Sequence, residues 1–352
     1  MSPARLDQLF VVGSVQTPVS KIPKVSSLLT WADHMGTYKA RWGIGRMNYR
    51  VDPGLYALRN PDEHSPVLVT ANYKMSFDRL REALPGRDAW ILVLDTKGIN
   101  VWCAAGKGTF GTRELVSRIE SSGLPRVVAH REVIVPQLAG PGVSAHLVRK
   151  ISGFKVIYGP IRAKDLPEFW DKGFVATPEM REKTFDTRER IVLVPMELVG
   201  AMKVALWGMA LFFVLDSLWR AGGFWINAAT HGLYSVLAIL VAVFAGAVLT
   251  PLLLPWLPGR ALSVKGLVSG VLANLVFVVF RWGQWETWSG CLELAAWLVL
   301  IPAVSAYLAM NFTGSTTFTS LSGVKKEMRR AVPLQIGAGV LGLALWLGAH
   351  LI

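Results

Sequence analysis

Charge runs out of this chain at about residue 195. Lys, Arg, Asp and Glu crowd the first 195 residues, and beyond them long apolar stretches alternate with short polar ones. With 52% hydrophobic and only 17% charged residues overall, the chain is too poor in charge to be soluble throughout. A helix crossing the hydrocarbon of a bilayer takes about 20 mostly apolar residues. Five stretches meet that requirement, near 198–217, 229–250, 264–281, 290–310 and 332–351. The expected organisation is a soluble domain followed by an all-α membrane domain of about five transmembrane helices.

The charges between the stretches indicate an orientation. The N-terminal segment has no continuous apolar run of signal-peptide length, so the first domain is expected to stay in the cytoplasm. The loops on that side then hold Arg260, Lys265, Lys325, Lys326, Arg329 and Arg330, and the opposite loops hold Arg220 and Arg281. This agrees with basic residues being retained inside, and it leaves the C-terminus outside a multi-pass inner membrane protein. Trp219, Trp225, Trp282, Trp285 and Trp288 cluster on the outer side, where indoles favour the interface. Much of the net charge of +13 therefore finds its explanation in the membrane flanks, and no nucleic-acid partner is expected. Lys203 and Asp216 are the main ionisable residues at depth. Lys203 is expected to snorkel inward and Asp216 to sit near the outer face.

From about residue 65 the soluble half alternates short β-rich runs with amphipathic ones. Val67 to Thr70, Trp90 to Leu94, Arg126-Val127-Val128-Ala129 and Phe154 to Tyr158 are expected as strands. Helices are expected over 77–84, 112–121, 143–151 and 163–172. Such alternation predicts an α/β, Rossmann-like, open and mostly parallel sheet, with ligands beyond the carboxyl ends of its strands. The domains are read as an extension over 1–61 covering one sheet edge, an α/β domain over 62–195 and a transmembrane domain over 196–352.

The segment Asn100-Val101-Trp102-Cys103-Ala104-Ala105-Gly106-Lys107 carries the chemistry. A thiol followed by two small residues and a glycine lets a flat ligand approach the backbone. A short helix starting here would put Cys103 near its positive end, which suits a thiolate metal ligand. Taken alone, a cysteine with apolar neighbours is more often a small buried hydrophobe.

This string resembles the signature of the HgcA family, the membrane-anchored corrinoid proteins of microbial mercury methylation. Two further segments, around Gln137-Leu138-Ala139-Gly140-Pro141-Gly142 and Gly159-Pro160-Ile161-Arg162, resemble the corrinoid-binding domain of the large subunit of the corrinoid iron–sulfur protein. The loop Asn311-Phe312-Thr313-Gly314-Ser315-Thr316-Thr317 adds to the likeness of the membrane half. The resemblance implies a cobamide held without its own lower base on cobalt, with Cys103 as lower axial ligand and as the catalytic residue. Asn100, Val101, Trp102, Cys103, Ala104, Ala105, Gly106 and Lys107 would form the cap beneath the ring. By loop position, Asn72, Tyr73, Thr109, Phe110, Gln137, Leu138, Gly140, Pro141 and Gly142 would line the ring or its nucleotide tail.

The implied activity is corrinoid-dependent methyl transfer from a folate-type donor, by way of a folate-type methyltransferase, to Hg(II). It belongs to anaerobic one-carbon metabolism. The implied partner is a two-cluster 4Fe-4S ferredoxin supplying electrons and Hg(II), docked on the basic residues around Lys325 and Arg330. A corrinoid methyl carrier with another acceptor, and a non-catalytic membrane electron-transfer or assembly scaffold, are the alternatives.

Other readings of the same residues fail on spacing. A phosphate loop needs Ser or Thr after Lys107 and glycine at 101, where the chain has Gly108 and Val101. No Asp-x-His-x-x-Gly occurs, so a histidine-ligated cobalamin module is excluded. A cysteine hydrolase needs a positioned histidine; His130 and His146 lie in the right domain, but each is more often a solvated or core-satisfied histidine than a base. Cys103 and Cys291 lie too far apart in sequence to suggest pairing, which fits a reducing compartment.

Overall fold

The computed structural model describes residues 4–220, 222–279, 286–315 and 321–352. Two compact units result. The first takes in the chain to Thr184 apart from Arg41–Gly43, and the second comprises Arg41–Gly43 with Phe185–Ile352.

The first unit is built on a seven-stranded mixed sheet of order β1-β2-β3-β5-β4-β6-β7. The strands are β1 Val11–Gln16, β2 Lys21–Val25, β3 Gly54–Leu58, β4 Val67–Ala71, β5 Ala89–Leu94, β6 Glu132–Val135 and β7 Lys155–Tyr158. Four of them, β5-β4-β6-β7, run parallel. The helices are α1 Trp31–Arg41, α2 Lys74–Glu82, α3 Val101–Lys107, α4 Thr112–Ser121, α5 Ala145–Ser152 and α6 Leu166–Asp171. Every residue of β4 and β5 is buried, as expected for parallel strands covered on both faces. Alternation along each strand sends neighbours to opposite cores. Val67, Val69, Trp90 and Leu92 pack with Ala104 of α3, Leu115 of α4 and Val148 of α5. Leu68, Ile91 and Val93 pack with Phe77 of α2 and Phe169 of α6.

Two expectations change. The run Arg126-Val127-Val128-Ala129 is not a strand: a 3-10 turn occupies Leu124–Arg126, and the strand follows at Glu132–Val135. Val127 and Val128 are buried as core-filling turn residues, which is why their apolar character reads as a strand. Residues 1–61 do more than cover an edge, because β1, β2 and β3 extend the sheet and β3 pairs antiparallel with β5. Short strands interrupted by proline and glycine leave little periodicity to read. A buried ionic cluster ties α1 to α2: Lys74 Nζ lies 2.5 Å from Asp33 and 2.7 Å from Asp78, and Arg81 lies 2.8 Å from Asp33 and 2.9 Å from Asp78.

The second unit opens with the short α7 Thr187–Ile191 and the long α8 Val194–Trp219. Next come α9 Phe224–Asn227, α10 Leu233–Phe244 and α11 Thr250–Leu253, joined by two π-helical turns into one helix. Then follow α12 Leu262–Val279, α13 Trp288–Met310 and α14 Leu321–Leu351. Among the described residues, five helical stretches are long and apolar enough to cross a membrane: Thr187–Trp219, Phe224–Leu253, Leu262–Val279, Trp288–Thr313 and Gly323–Leu351. The last begins well before the expected 332, because the helix runs through Pro333 and carries its basic turn at its own start. Arg281, Trp282, Trp285, Thr316 and Thr317 lie outside the described residues.

Three charged residues sit differently from expectation. Asp216 is fully buried, accepting from Ser235 Oγ at 2.5 Å, with His350 Nε2 at 2.8 Å. Arg220 lies inside the unit, with Nη2 3.0 Å from the buried Glu293, to which His231 Nδ1 approaches at 2.8 Å. Lys265 is buried and donates to the Leu254 and Leu257 carbonyls, so it adds no charge to a loop surface. Lys203 is exposed on α8, where its stem can snorkel.

Candidate functional site

In the parallel core the chain leaves β4, builds β5 on one side of it, and returns to build β6 on the other. The order therefore reverses at β4, and the crevice beyond the carboxyl ends of β4 and β6 is where an open α/β sheet takes its ligand. Loops after β4, β5 and β6 meet there.

The loop after β5 is fixed before it reaches Cys103. Asn72, buried at the end of β4, accepts through Oδ1 from Thr96 N, Thr96 Oγ1 and Gly98 N, and donates through Nδ2 to Asp95. Burial pushes the Asp95 carboxyl up, but hydrogen bonds from the Lys97 ammonium and amide outweigh it and hold the group below the ordinary carboxylate range. Lys97 and Gly98 both take left-handed backbone, closing the turn that delivers Asn100. Asn100 then caps α3, with its Oδ1 accepting from the amide of Cys103 at 2.9 Å. A short side-chain acceptor at this position satisfies one of the open amides of the first turn. Its donor is the very residue proposed as metal ligand.

On α3, Val101, Ala104 and Ala105 face the core, while Trp102 and Cys103 are half-buried and Gly106 and Lys107 exposed. Cys103 is a free thiol in the first turn. A methyl group built on Gly106 would meet nothing within 4 Å, so the backbone there is open to an approaching flat group. Gly108 ends the helix in left-handed conformation, its amide bonded to the Ala104 and Ala105 carbonyls.

The loop after β6 docks against this helix. A Cβ on Gly142 would lie only 2.1 Å from the Phe110 carbonyl oxygen and 3.1 Å from Ala105 Cα, so glycine permits the approach. The Thr112 amide donates to the Gly142 carbonyl, and Thr112 Oγ1 accepts from Ser144 N. Gln137, Leu138, Gly140, Pro141 and Gly142 are thus brought next to the cap.

The anticipated residues divide into two groups. Trp102, Cys103, Gly106, Lys107, Thr109, Gln137, Gly140 and Pro141 present accessible surface at the crevice, although Gln137 Oε1 already accepts from Arg181. Phe110 is fully buried and packs in the core, and the Asn72 side chain is engaged with the loop after β5. Both act on the site through the backbone they hold. Tyr73 is buried, with its ring against Tyr49 and beneath Arg46. The positioning residues Asp95, Thr96 and Thr112 are not apparent in sequence, since ordinary turn residues acquire their role only from their partners. His130 is committed to the Ser65 carbonyl and the Glu132 amide, and His146 to Ser144. No group of three or more His, Cys, Asp or Glu that could hold a metal ion occurs among the described residues.

This open thiol-bearing edge falls inside the part of the chain that is similar to known proteins. Residues 34–168 match the family of the CO dehydrogenase/acetyl-CoA synthase delta subunit. Gamma subunits of acetyl-CoA decarbonylase/synthase complexes are similar over the same scale. That of Methanopyrus kandleri is 35% identical over 124 residues, covering 35% of this chain and 26% of its own length. That of Methanothermobacter thermautotrophicus is 31% identical over 124 residues, covering 35% and 27%. A gamma subunit of Methanosarcina thermophila is 34% identical over 128 residues, with the same coverage of 35% and 27%. The chain spans about a quarter of the length of these relatives.

Proposed function

We propose that the chain is a membrane-anchored corrinoid protein whose Cys103 is the lower axial ligand of cobalt in a cobamide bound without its own base. On this reading it passes a methyl group from a folate-type donor to Hg(II). The observation that carries the reading is the thiol itself: half-exposed, in the first turn of an Asn100-capped helix, over the switch point of the parallel sheet. When bound, the cobalt supplies a centre that takes up and releases a methyl group, and an anionic sulfur ligand raises its electron density so that release toward an electrophilic metal ion becomes easier.

The chain's own residues hold and shape that site. Asn100 holds the backbone amide of Cys103 in the first turn of α3. Ala104 and Ala105 pack the rear of α3 against the core, and Gly106 leaves the backbone accessible. On this reading Trp102 would cover part of the bound ligand, and the loop through Gly140 and Pro141 would support its tail. With no cysteine cluster of its own among the described residues, the chain would receive electrons, and Hg(II), from a two-cluster 4Fe-4S ferredoxin. The basic residues at the start of α14 and Arg260 favour an inner membrane orientation with the soluble unit in the cytoplasm and Ile352 outside.

The similarity to acetyl-CoA decarbonylase/synthase gamma subunits favours a second reading, in which the same site carries methyl groups of one-carbon metabolism to another acceptor. Protein purified anaerobically, loaded with cobamide and given a reduced ferredoxin, separates the two. Methylmercury formed from Hg(II) supports the first; a cobamide-loaded protein that leaves Hg(II) unmethylated supports the second; failure to bind corrinoid removes both in favour of a non-catalytic scaffold. The absorption spectrum tests the ligand directly, because Cys103→Ala should shift it to that of a base-off corrinoid.

A further inference from the structure

In the second unit α13 packs against both α12 and α14, which leave between them a groove of about 1100 Å3. Pro302 and Ala303 of α13 form part of its floor, and Leu267, Val271 and Leu334 part of its walls. One end differs. There Arg260, Lys326 and Arg330 line the groove, and among the described lining residues one acid, Glu327, lies beside them, accepting from the Ser263 amide at 2.6 Å, so the cations are in excess. Along α14 the groove stripe Lys326, Arg330, Leu334 and Ala338 is spaced by fours, so one face turns from basic to apolar as the helix advances. From Lys326 to Ala338 the helix rises about 18 Å, close to the hydrocarbon depth of a single leaflet. α12 and α14 both begin at the basic end, so their positive dipole ends add to the side-chain charge.

A purely apolar gap between membrane helices would be filled by any lipid. This one joins three cations to an apolar trough one leaflet long, which matches a phosphate head on an acyl tail. We propose that the groove is a binding site for an anionic diacyl phospholipid. Its phosphate sits among Arg260, Lys326 and Arg330, and one acyl chain lies along Leu267, Val271 and Leu334. Lys325 and Arg329 are exposed and do not line the groove, so the basic start of α14 has two faces, one for lipid and one free for a protein partner.

The test uses the full chain in mild detergent, titrated with phosphatidylglycerol or phosphatidylcholine of identical chains and read by native mass spectrometry and thermal midpoint. Wild type should prefer phosphatidylglycerol by at least about tenfold, since each cation near a headgroup favours anionic lipid. Lys326→Gln with Arg330→Gln should bring the two lipids to parity, while Lys325→Gln with Arg329→Gln should keep the preference. Leu334→Trp, which fills the trough and leaves every charge, should weaken both lipids, and inorganic phosphate should displace neither. Equal retention of both lipids by wild type, loss of preference in the Lys325 and Arg329 pair, or displacement by phosphate would overturn the proposal. Should the Lys326 and Arg330 pair fail to fold, wild type, the Lys325 and Arg329 pair and Leu334→Trp still decide it.

Discussion

The soluble and membrane halves assemble their polar groups in opposite ways. On the helix of Cys103 the groups that hold and expose the thiol are neighbours in sequence: Asn100 caps the Cys103 amide, and Gly106 leaves the same helix open. In the membrane half Asp216, His231, Glu293 and His350 come from four helical stretches and meet only on packing. The outcomes differ as well. Cys103 keeps accessible surface beside a loop held by the hydrogen bonds of Asn72, Asp95 and Thr96, which is what a ligand site requires. Asp216 and Glu293 have their oxygens engaged by Ser235, His350, Arg220 and His231, which is what buried charge requires if it is not to destabilise the fold. Openness marks the first region and closure the second.

The largest effect expected from this contrast is at Cys103. Cys103→Ala should abolish Hg(II) methylation, and Cys103→His should lose most of it, because imidazole is a weaker donor and bulkier beside Trp102. Stability should fall by no more than about 1–2 kcal/mol, since one small half-exposed side chain is removed. Wild-type methylation by Cys103→Ala with an unchanged corrinoid spectrum would end the axial-ligand reading and erase the functional side of the comparison.

Asp216 should behave in the reverse sense. Asp216→Ala leaves Ser235, His350 and Arg220 without their shared carboxylate in a buried setting, a loss on the order of 3–5 kcal/mol. The full chain in detergent should melt markedly earlier, while cobamide binding by surviving folded protein is unchanged. An unaltered midpoint would show the cluster to be no clamp.

Legibility follows the same division. β4 and β5 are continuous apolar runs between turn residues, and α4 is amphipathic with a clear start, so these are readable from sequence. Asn100 and Gly142 are singled out by the resemblance, but that Asn100 caps α3 and that Gly142 admits the Phe110 carbonyl emerge only in the folded chain. β1 to β3 are not, since short strands with Pro23 and Gly54 carry no lasting alternation. The role of Asn72 is hidden because its partners lie 23 to 26 residues away. Asp216 is readable as an intramembrane acid, but its partners come from elements 19 and 134 residues distant.

A buried charge cluster in the soluble unit allows the contrast to be sharpened by pH. Burial pushes the Asp33 carboxyl up, but the Lys74 hydrogen bond, the Thr30 amide and the charges of Lys74 and Arg81 outweigh it, so its pKa falls well below the ordinary range. A depressed folded-state value contributes stability that is present above the unfolded pKa of about 3.9 and is lost as pH falls through the folded one. Acid unfolding of the wild-type soluble unit should therefore steepen below about pH 4. Asp33→Asn should be less stable at neutral pH and show a flatter acid limb. Parallel acid limbs would place the pH sensitivity elsewhere.

The smallest expected effect tests how α3 presents its thiol. Removing an N-cap side chain costs roughly 0.5–2 kcal/mol, so Asn100→Ala should lower the stability of the soluble unit by about 1 kcal/mol and fray the first turn. Cys103 lies in that turn, and its amide is the donor that loses its acceptor. A merely structural cap would change the melting midpoint and leave the cobalt spectrum alone. If the cap sets the direction of the sulfur, Asn100→Ala should also broaden the spectrum toward a mixture of sulfur-ligated and base-off forms. Asn100→Ser, which keeps an acceptor oxygen at Ncap, should restore both. A spectrum identical to wild type in Asn100→Ala, at temperatures where the protein is folded, would show that the corrinoid itself is enough to align Cys103.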